Sequence, residues 1–158
     1  MKNTQKLFKV FLDTSVLLSG LNSPFGASAF ILALFKLKKL IIVISPEVIL
    51  EAEKVIETKF PLLKIPFLDF LSSGPMITKK LTAKEIKPAY RIINSEDAPI
   101  LAGAIKGKVD FLITLDKKFL KTIKPFEKKI GFKVFTPKEF LEVFRRNLWI
   151  FLKNVSTR

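Results

Sequence analysis

Apolar runs and helix-period patterns alternate along this chain, and the first apolar run covers residues 6–12. That run is rich in Phe and Val, which is typical of a buried strand. Further short strands are predicted at residues 40–44, 111–114 and 132–135. Helical patterns separate these strands, so we expect a parallel sheet with helices on both faces.

The predicted helices begin at recognisable caps. Helices are predicted over residues 27–39, over 46–59, from 82 towards 93, from 95 to about 107 and from 136 onwards. Ser45 precedes a proline, which is typical of an N-cap with Pro at the first helical position. Thr82–Glu85 and Thr136–Glu139 have the form of capping boxes. The chain therefore specifies several helix starts locally.

Two stretches are expected to be less regular. The segment after Asp13 is predicted to be a loop, marked by Gly20, Asn22, Pro24 and Gly26. Residues 60–74 contain prolines and a glycine, and are expected to form a short helix with loops.

The length limits the number of domains. The chain has 158 residues, of which 49% are hydrophobic, enough for one domain with a sizeable core and too few for two ordinary ones. We expect a single domain over residues 1–158, with its core at about 7–145 and a C-terminal helix and tail at 137–158.

The composition excludes several kinds of chemistry. The chain contains no Cys and no His, which excludes disulfides, thiolate nucleophiles, thiolate zinc sites and histidine triads. Asp and Glu remain as the carriers of acid, base or metal chemistry. Such an enzyme would use a hard cation such as Mg²⁺ or Mn²⁺.

The net charge points to a polyanionic partner. Lys and Arg number 28 against 14 Asp and Glu, giving +14, and the basic residues are spread along the chain. This favours nucleic acid or an anionic membrane surface, although lysine-rich surfaces also serve solubility. The apolar runs are broken by Lys before they could span a bilayer, so a soluble, cytoplasmic protein is expected.

Two aspartates follow predicted strands. Asp13 ends the first strand and Asp116 lies just past the strand at 111–114. Open α/β sheets bind their ligands at the carboxyl ends of the strands. The alternative for Asp13 is that it only caps the following helix.

Two carboxylates on predicted helices could face the same place. At 100° per residue, Glu51 falls at the edge of the apolar arc of its helix, where glutamates are also common on ordinary amphipathic helices. Asp97 falls in the middle of the buried stripe of the helix predicted from 95 to about 107, and Glu96 falls outside it. A buried Asp must be paired, capped or metal-bound, and the cap and ligand roles are compatible. Carboxylates that converge on one cleft repel each other, so a divalent cation that neutralises them is the simplest explanation.

Four segments together resemble the PIN-domain ribonucleases, over roughly residues 9–144. Asp13-Thr-Ser-Val-Leu-Leu is similar to the opening motif of that family, and Ser45-Pro-Glu-Val-Ile-Leu-Glu51 to its second. The third and fourth resemblances begin at Ser95-Glu-Asp97 and at Asp110-Phe-Leu-Ile-Thr114-Leu-Asp116. Each motif is weak alone, whereas all four in order are specific.

The resemblance implies a three-layer α/β/α sandwich with a central, mainly parallel sheet of about four to five strands. It also implies Mg²⁺- or Mn²⁺-dependent cleavage of RNA. Asp13, Glu51, Asp97 and Asp116 would form an acidic quartet, with Asp13, Asp97 and Asp116 as the metal ligands. Supporting roles would fall to Ser15, Thr114 and, as a second choice to Asp97, Glu96.

Small stand-alone members of this family are often toxins of toxin–antitoxin pairs. The resemblance therefore implies an antitoxin protein as a partner and a homodimer, with no membrane partner. A non-catalytic RNA-binding protein on the same fold and a DNA structure-specific nuclease are the alternatives. The roles of the apolar segments 60–76 and 148–152, in the core or at a contact surface, stay open at this point.

Overall fold

The computed structural model describes residues 6–156, and these form a five-stranded sheet in which every neighbouring pair is parallel. The strands are β1 (Lys9–Leu12), β2 (Ile41–Ile44), β3 (Met76–Ile77), β4 (Phe111–Ile113) and β5 (Lys133–Phe135). Their order is β3-β2-β1-β4-β5, so β1 lies at the centre. The predicted α/β/α sandwich with a parallel sheet is confirmed.

Helices connect the strands and close the chain. They are α1 (Thr14–Asn22), α2 (Ala27–Lys36), α3 (Pro46–Lys59), α4 (Lys64–Ser72), α5 (Ala83–Tyr90), α6 (Ala98–Gly107), α7 (Lys117–Ile123), α8 (Glu127–Ile130) and α9 (Pro137–Ser156), with short 3-10 helices at Pro61–Leu63 and Lys124–Phe126. The predicted bounds of α3 match, and both predicted capping boxes are formed.

The loop predicted after Asp13 is wrong, because α1 occupies most of it. Gly20 was interpreted as a loop marker, but it lies inside α1 where that helix packs against α2. A Cβ atom on Gly20 would come within 2.7 Å of Leu32 Cδ1. Glycine therefore allows close helix packing here rather than a turn.

The strand β3 was not predicted. It has only two residues, both exposed, at the edge of the sheet, and so it lacks the buried apolar run that identifies the other strands.

The direction of the chain through the sheet changes between β1 and β4. From β1 the chain moves outward to β2 and then β3, and afterwards returns to β4 on the other side of β1. Right-handed crossovers place the intervening helices of the two halves on opposite faces. The carboxyl ends of β1 and β4 are therefore at a topological switch point, where such sheets form a crevice.

The two apolar segments left open above are partly buried. In residues 60–76, Leu63, Phe67 and Phe70 are buried, whereas Leu62 and Ile65 are exposed. In α9, Trp149 and Ile150 are exposed. Segment 60–76 therefore contributes to packing and also presents an apolar face, whereas segment 148–152 is exposed apart from the half-buried Phe151.

Among residues 6–156, no single helix is long and apolar enough to cross a membrane. The helices α1 and α2 meet that test only as a pair, bent by 88° at the break.

Candidate active site

Asp13 lies at the switch point, fixed by both of its carboxylate oxygens. It follows β1 and is the N-cap of α1. Its Oδ1 accepts a hydrogen bond from Thr14 N at 2.7 Å, and its Oδ2 accepts one from Thr114 Oγ1 at 2.7 Å. A longer bond of 3.4 Å comes from Ser15 Oγ. Asp13 thus caps a helix and also holds a defined position between β1 and β4.

The surroundings of Asp13 raise the pKa of its carboxyl group. Burial raises the pKa of its carboxyl, and the hydrogen bonds from Thr114 and Thr14 lower it. The negative charges of Glu51 and Asp97 raise this pKa as well, and the net shift is upward. Three of the four predicted acids are therefore close enough to interact electrostatically.

Glu51 reaches this place from α3. Its side chain is exposed, and its Oε2 accepts a hydrogen bond from the buried Thr14 Oγ1 at 2.8 Å. Thr14 is adjacent to Asp13 in the chain. This contact directs Glu51 towards the end of β1, whereas Glu53 and Glu57 on the same helix are exposed elsewhere.

Asp97 is half-buried at the start of α6. It is the N-cap residue, with φ −82° and ψ −8°, but its side chain makes no capping hydrogen bond. Instead Ser95 Oγ donates to Asp97 Oδ2 at 3.2 Å. The buried stripe proper begins at Ala98, so Asp97 lies just before it rather than within it. Its carboxylate is not used to cap the helix.

Asp116 is the N-cap of α7 and is exposed. Its Oδ1 accepts hydrogen bonds from Lys118 N at 2.8 Å and Phe119 N at 2.9 Å. Its own backbone N donates to Thr114 Oγ1 at 3.0 Å. Asp116 therefore has a strong structural role, and one hydroxyl links it to Asp13.

Two hydroxyls tie the end of β1 to the end of β4. Thr114 is fully buried, and its Oγ1 donates to Asp13 while accepting from the Asp116 backbone. Ser15 Oγ donates to Asp13 and accepts from Leu115 N at 3.4 Å. Both predicted supporting hydroxyls thus contact Asp13 directly.

Within residues 6–156, two other acidic residues of the motifs make no hydrogen bond with Asp13 or with the residues that hold it. Glu96 is exposed, and within residues 6–156 its side chain has no hydrogen bond or ion pair. Asp110 precedes β4, where its Oδ2 accepts a hydrogen bond from Lys9 N at 2.8 Å. Lys9 begins β1, so Asp110 lies at the amino ends of the central strands, whereas Asp13 lies at their carboxyl ends.

Glu47 is a further carboxylate that the sequence motifs do not mark. It lies four residues before Glu51 on α3, and side chains at this spacing share a helix face about 5–6 Å apart. Its Oε2 is buried without a hydrogen-bond partner among the described residues. A carboxylate oxygen in that state is costly unless a proton or a cation accompanies it.

The donor set matches a hard cation in chemistry but is not preassembled. All the candidate ligands are carboxylate or hydroxyl oxygens, which suit Mg²⁺ or Mn²⁺. Burial and, to a smaller extent, nearby negative charge raise the pKa of Asp13, and a cation beside this carboxylate would offset both effects. In the part of the chain described, no three acidic side chains are grouped as a metal site.

Solved structures share the fold at low sequence identity. One chain of the crystal structure of VapBC2 from Rickettsia felis bound to a DNA fragment from their promoter superposes with a TM-score of 0.55 and 19% identity, over 80% of this chain and 96% of that one. PAE2754 from Pyrobaculum aerophilum gives a TM-score of 0.61 and 14% identity, over 91% and 96%.

Comparison of the sequence with known proteins assigns a family. No curated protein matches the chain. The family model described as the PIN domain matches residues 9–118, which include Asp13, Glu51, Asp97 and Asp116. The chain belongs to the PIN-domain family.

Proposed function

We propose that this protein is a metal-dependent endoribonuclease that hydrolyses RNA phosphodiester bonds at Asp13, Glu51, Asp97 and Asp116. The observation that carries the proposal is the environment of Asp13. This carboxylate is half-buried at the switch point of the sheet, fixed by Thr114, and acted on by the charges of Glu51 and Asp97. Negative charges brought together at the carboxyl ends of the strands, where open α/β sheets bind ligands, favour a cation at that place.

Each acid has a proposed role. Asp13, Asp97 and Asp116 would hold Mg²⁺ or Mn²⁺, and Glu51 would be a further ligand or would position the attacking water. When bound, such a cation supplies positive charge to the phosphoryl oxygens and activates water as a nucleophile.

The neighbouring residues orient these carboxylates. Thr114 and Ser15 donate to Asp13, and Thr14 donates to Glu51. Hydrogen bonds of this kind to ligand side chains fix their orientation and strengthen metal binding. The backbone N–H groups at the start of α7 leave Asp116 little freedom to rotate.

The positive body of the protein supports a nucleic-acid substrate. With a net charge of +14, the chain attracts phosphodiester backbones over long range. Without a cation, the acidic cleft would repel the phosphodiester backbone that the rest of the protein attracts. The proposed metal would therefore be needed for substrate binding as well as for catalysis.

The test is cleavage of a labelled single-stranded RNA with Mg²⁺ or Mn²⁺, compared with EDTA and with Asp13→Asn. Asp69→Asn is the matched control, because Asp69 is exposed on α4 and pairs with Lys36. We expect cleavage by the wild type and by the Asp69 variant with metal only. Equal cleavage in all conditions would contradict the proposal.

The same assay separates the alternatives. Salt-sensitive RNA binding that is indifferent to metal, with no turnover, would indicate a non-catalytic binding protein. Faster cleavage of DNA of the same sequence would indicate a DNA nuclease.

We further propose that this cytoplasmic protein acts as a homodimeric toxin restrained by an antitoxin. The support is its family and its fold likeness to the chain from VapBC2. Induced expression should arrest bacterial growth, and Asp13→Asn should relieve that arrest. Light scattering of the purified chain tests the dimer, and normal growth with active, well-expressed protein would contradict the toxin role.

A further inference from the structure

A second candidate site lies at the β3 edge of the sheet. A pocket of about 270 Å³ is lined there by residues of β3 and by four lysines: Lys9, Lys79, Lys106 and Lys108. We call it the lysine pocket. No carboxylate is found among the described residues that line it.

The lysine pocket is separate from the carboxylate cleft. Lys9 begins β1, and Asp13 follows the end of the same strand. At a rise of about 3.3 Å per residue, their Cα atoms are roughly 13 Å apart. Lys9 Nζ also donates to Gly107 O at 3.0 Å, which directs it towards the end of α6. An anion in this pocket is therefore not the group that reacts beside Asp13.

The positive charge of the pocket is only partly compensated. Lys106 Nζ contacts Glu85 Oε2 at 2.9 Å and Lys80 O at 3.1 Å. Lys79 and Lys108 are exposed, and their side chains have no hydrogen bond or ion pair within residues 6–156. Four lysines around one pocket raise the local positive potential, which a bound anion would lower.

A threonine and a glycine also line the pocket. Thr78 lines the pocket, and its Oγ1 is buried without a hydrogen-bond partner among the described residues. Gly107 also lines it, and a Cβ atom there would come within 2.9 Å of Val43 Cγ1. An unpartnered hydroxyl gains a hydrogen bond if a rotation of its side chain directs it to an anion in the pocket.

Protection of the sheet edge explains only part of this arrangement. Lysines next to an edge strand discourage pairing with another chain, which accounts for Lys79 after β3. It does not account for Lys106 and Lys108, which come from the end of α6. Lys108 is moreover held in the left-handed conformation, with φ 48°, at that helix end.

We propose that the lysine pocket binds a phosphate group. The group would belong either to the nucleic-acid backbone, away from the cleaved bond, or to a free phosphate. The first source rests on the proposed nuclease function, and the second does not.

The experiment uses the full chain carrying Asp13→Asn, in EDTA, so that RNA is bound without cleavage. Inorganic phosphate is titrated by calorimetry, and a single-stranded RNA by fluorescence anisotropy at several salt concentrations. The pocket variant is Lys79→Gln with Lys108→Asn, since Asn tolerates the left-handed conformation. The matched control is Lys128→Gln with Lys38→Asn, because Lys38 has φ 56° and neither residue lines the pocket.

We expect phosphate affinity to fall about 10- to 100-fold in the pocket variant and to stay unchanged in the control. A larger loss of RNA affinity than in the control, with a salt slope smaller by about 1, identifies the backbone as the source. RNA affinity equal to that of the control identifies free phosphate. Equal phosphate affinity in the two variants overturns the site, whether or not the wild type cleaves RNA.

The variant Thr78→Val examines the hydroxyl separately. We expect it to raise the stability of the unliganded protein, because an unpartnered buried hydroxyl is removed, and to weaken phosphate binding. Raised stability with unchanged phosphate affinity would exclude this hydroxyl as a ligand.

Discussion

Asp13 and Asp116 each lie between the end of a strand and the start of a helix, but they have different surroundings. Each follows a parallel strand and caps the next helix, and β1 and β4 pair in register with Leu12 opposite Ile113. Asp13 is half-buried, and burial together with the charges of two other acids raises its pKa. Asp116 is exposed, with one oxygen committed to two backbone N–H groups.

This difference distinguishes two properties of an aspartate that lies between a strand and a helix: capping of the helix and a raised pKa. A strand-end aspartate before a helix satisfies the unpaired N–H groups of that helix wherever it occurs. A raised pKa additionally requires burial and neighbouring negative charge, which only the folded chain supplies. Asp13 therefore has the stronger structural indication of a ligand role, and Asp116 has the stronger indication of a cap.

The largest expected effect is the loss of RNA cleavage in Asp13→Asn. Asparagine caps a helix as well as aspartate does, but it removes the proposed metal ligand. We expect cleavage to fall by more than about 100-fold, beyond the 10–100-fold typical of losing a supporting contact. Single-turnover cleavage with saturating Mn²⁺ measures this, and a circular dichroism melt checks that the variant is folded.

Removing the hydroxyl that links the two aspartates should have an intermediate effect. In Thr114→Val, Asp13 loses its shortest side-chain donor and the Asp116 backbone loses an acceptor. We expect cleavage to fall about 10–100-fold. The control is Thr122→Val, where the lost hydrogen bond goes to the Lys118 carbonyl on α7. Equal activity in the two variants would show that Thr114 does not orient Asp13.

Two substitutions at Asp116 distinguish the cap from the ligand. Asp116→Ala should cost about 0.5–2 kcal/mol of stability, because the N–H groups of Lys118 and Phe119 lose their acceptor, whereas Asp116→Asn should cost little. Denaturant unfolding measures this difference. If Asp116 is a ligand, cleavage falls in both variants. Full activity in Asp116→Asn would leave Asp116 with the capping role alone.

The smallest expected effect is a pH-dependent change in stability without metal. The folded protein holds the Asp13 proton more tightly than the unfolded chain does, because its pKa is raised. As pH rises from the ordinary aspartate value through this higher pKa, the wild type should lose stability relative to Asp13→Asn. Unfolding in EDTA between pH 4 and 7 checks the sign. A difference that does not change with pH would contradict the raised pKa, and added Mn²⁺ should reduce the difference at neutral pH.

Much of the fold could be predicted from local signals. The Ser45 cap and the following proline define the start of α3, and apolar runs mark β1, β2 and β4. Gly20 was misleading because its role is close packing between two helices, which depends on tertiary structure. The strand β3 is too short and too exposed to produce a pattern.

Less of the candidate site than of the fold could be predicted from the sequence. Helix periodicity placed Glu51 at the edge of the apolar arc of its helix but gave no sign of its bond to Thr14. The unpartnered oxygen of Glu47 and the lysine pocket arise from segments distant in sequence, so neither could be recognised before the chain was folded.

The most direct test of the cation site is a crystal structure of the protein soaked with Mn²⁺, using anomalous scattering to locate the ion. Our account predicts a peak contacted by Asp13 together with Asp97 or Asp116, and no such peak in Asp13→Asn crystals soaked in the same way. Binding of Mn²⁺ only elsewhere, or a peak that persists without the Asp13 carboxylate, would contradict it.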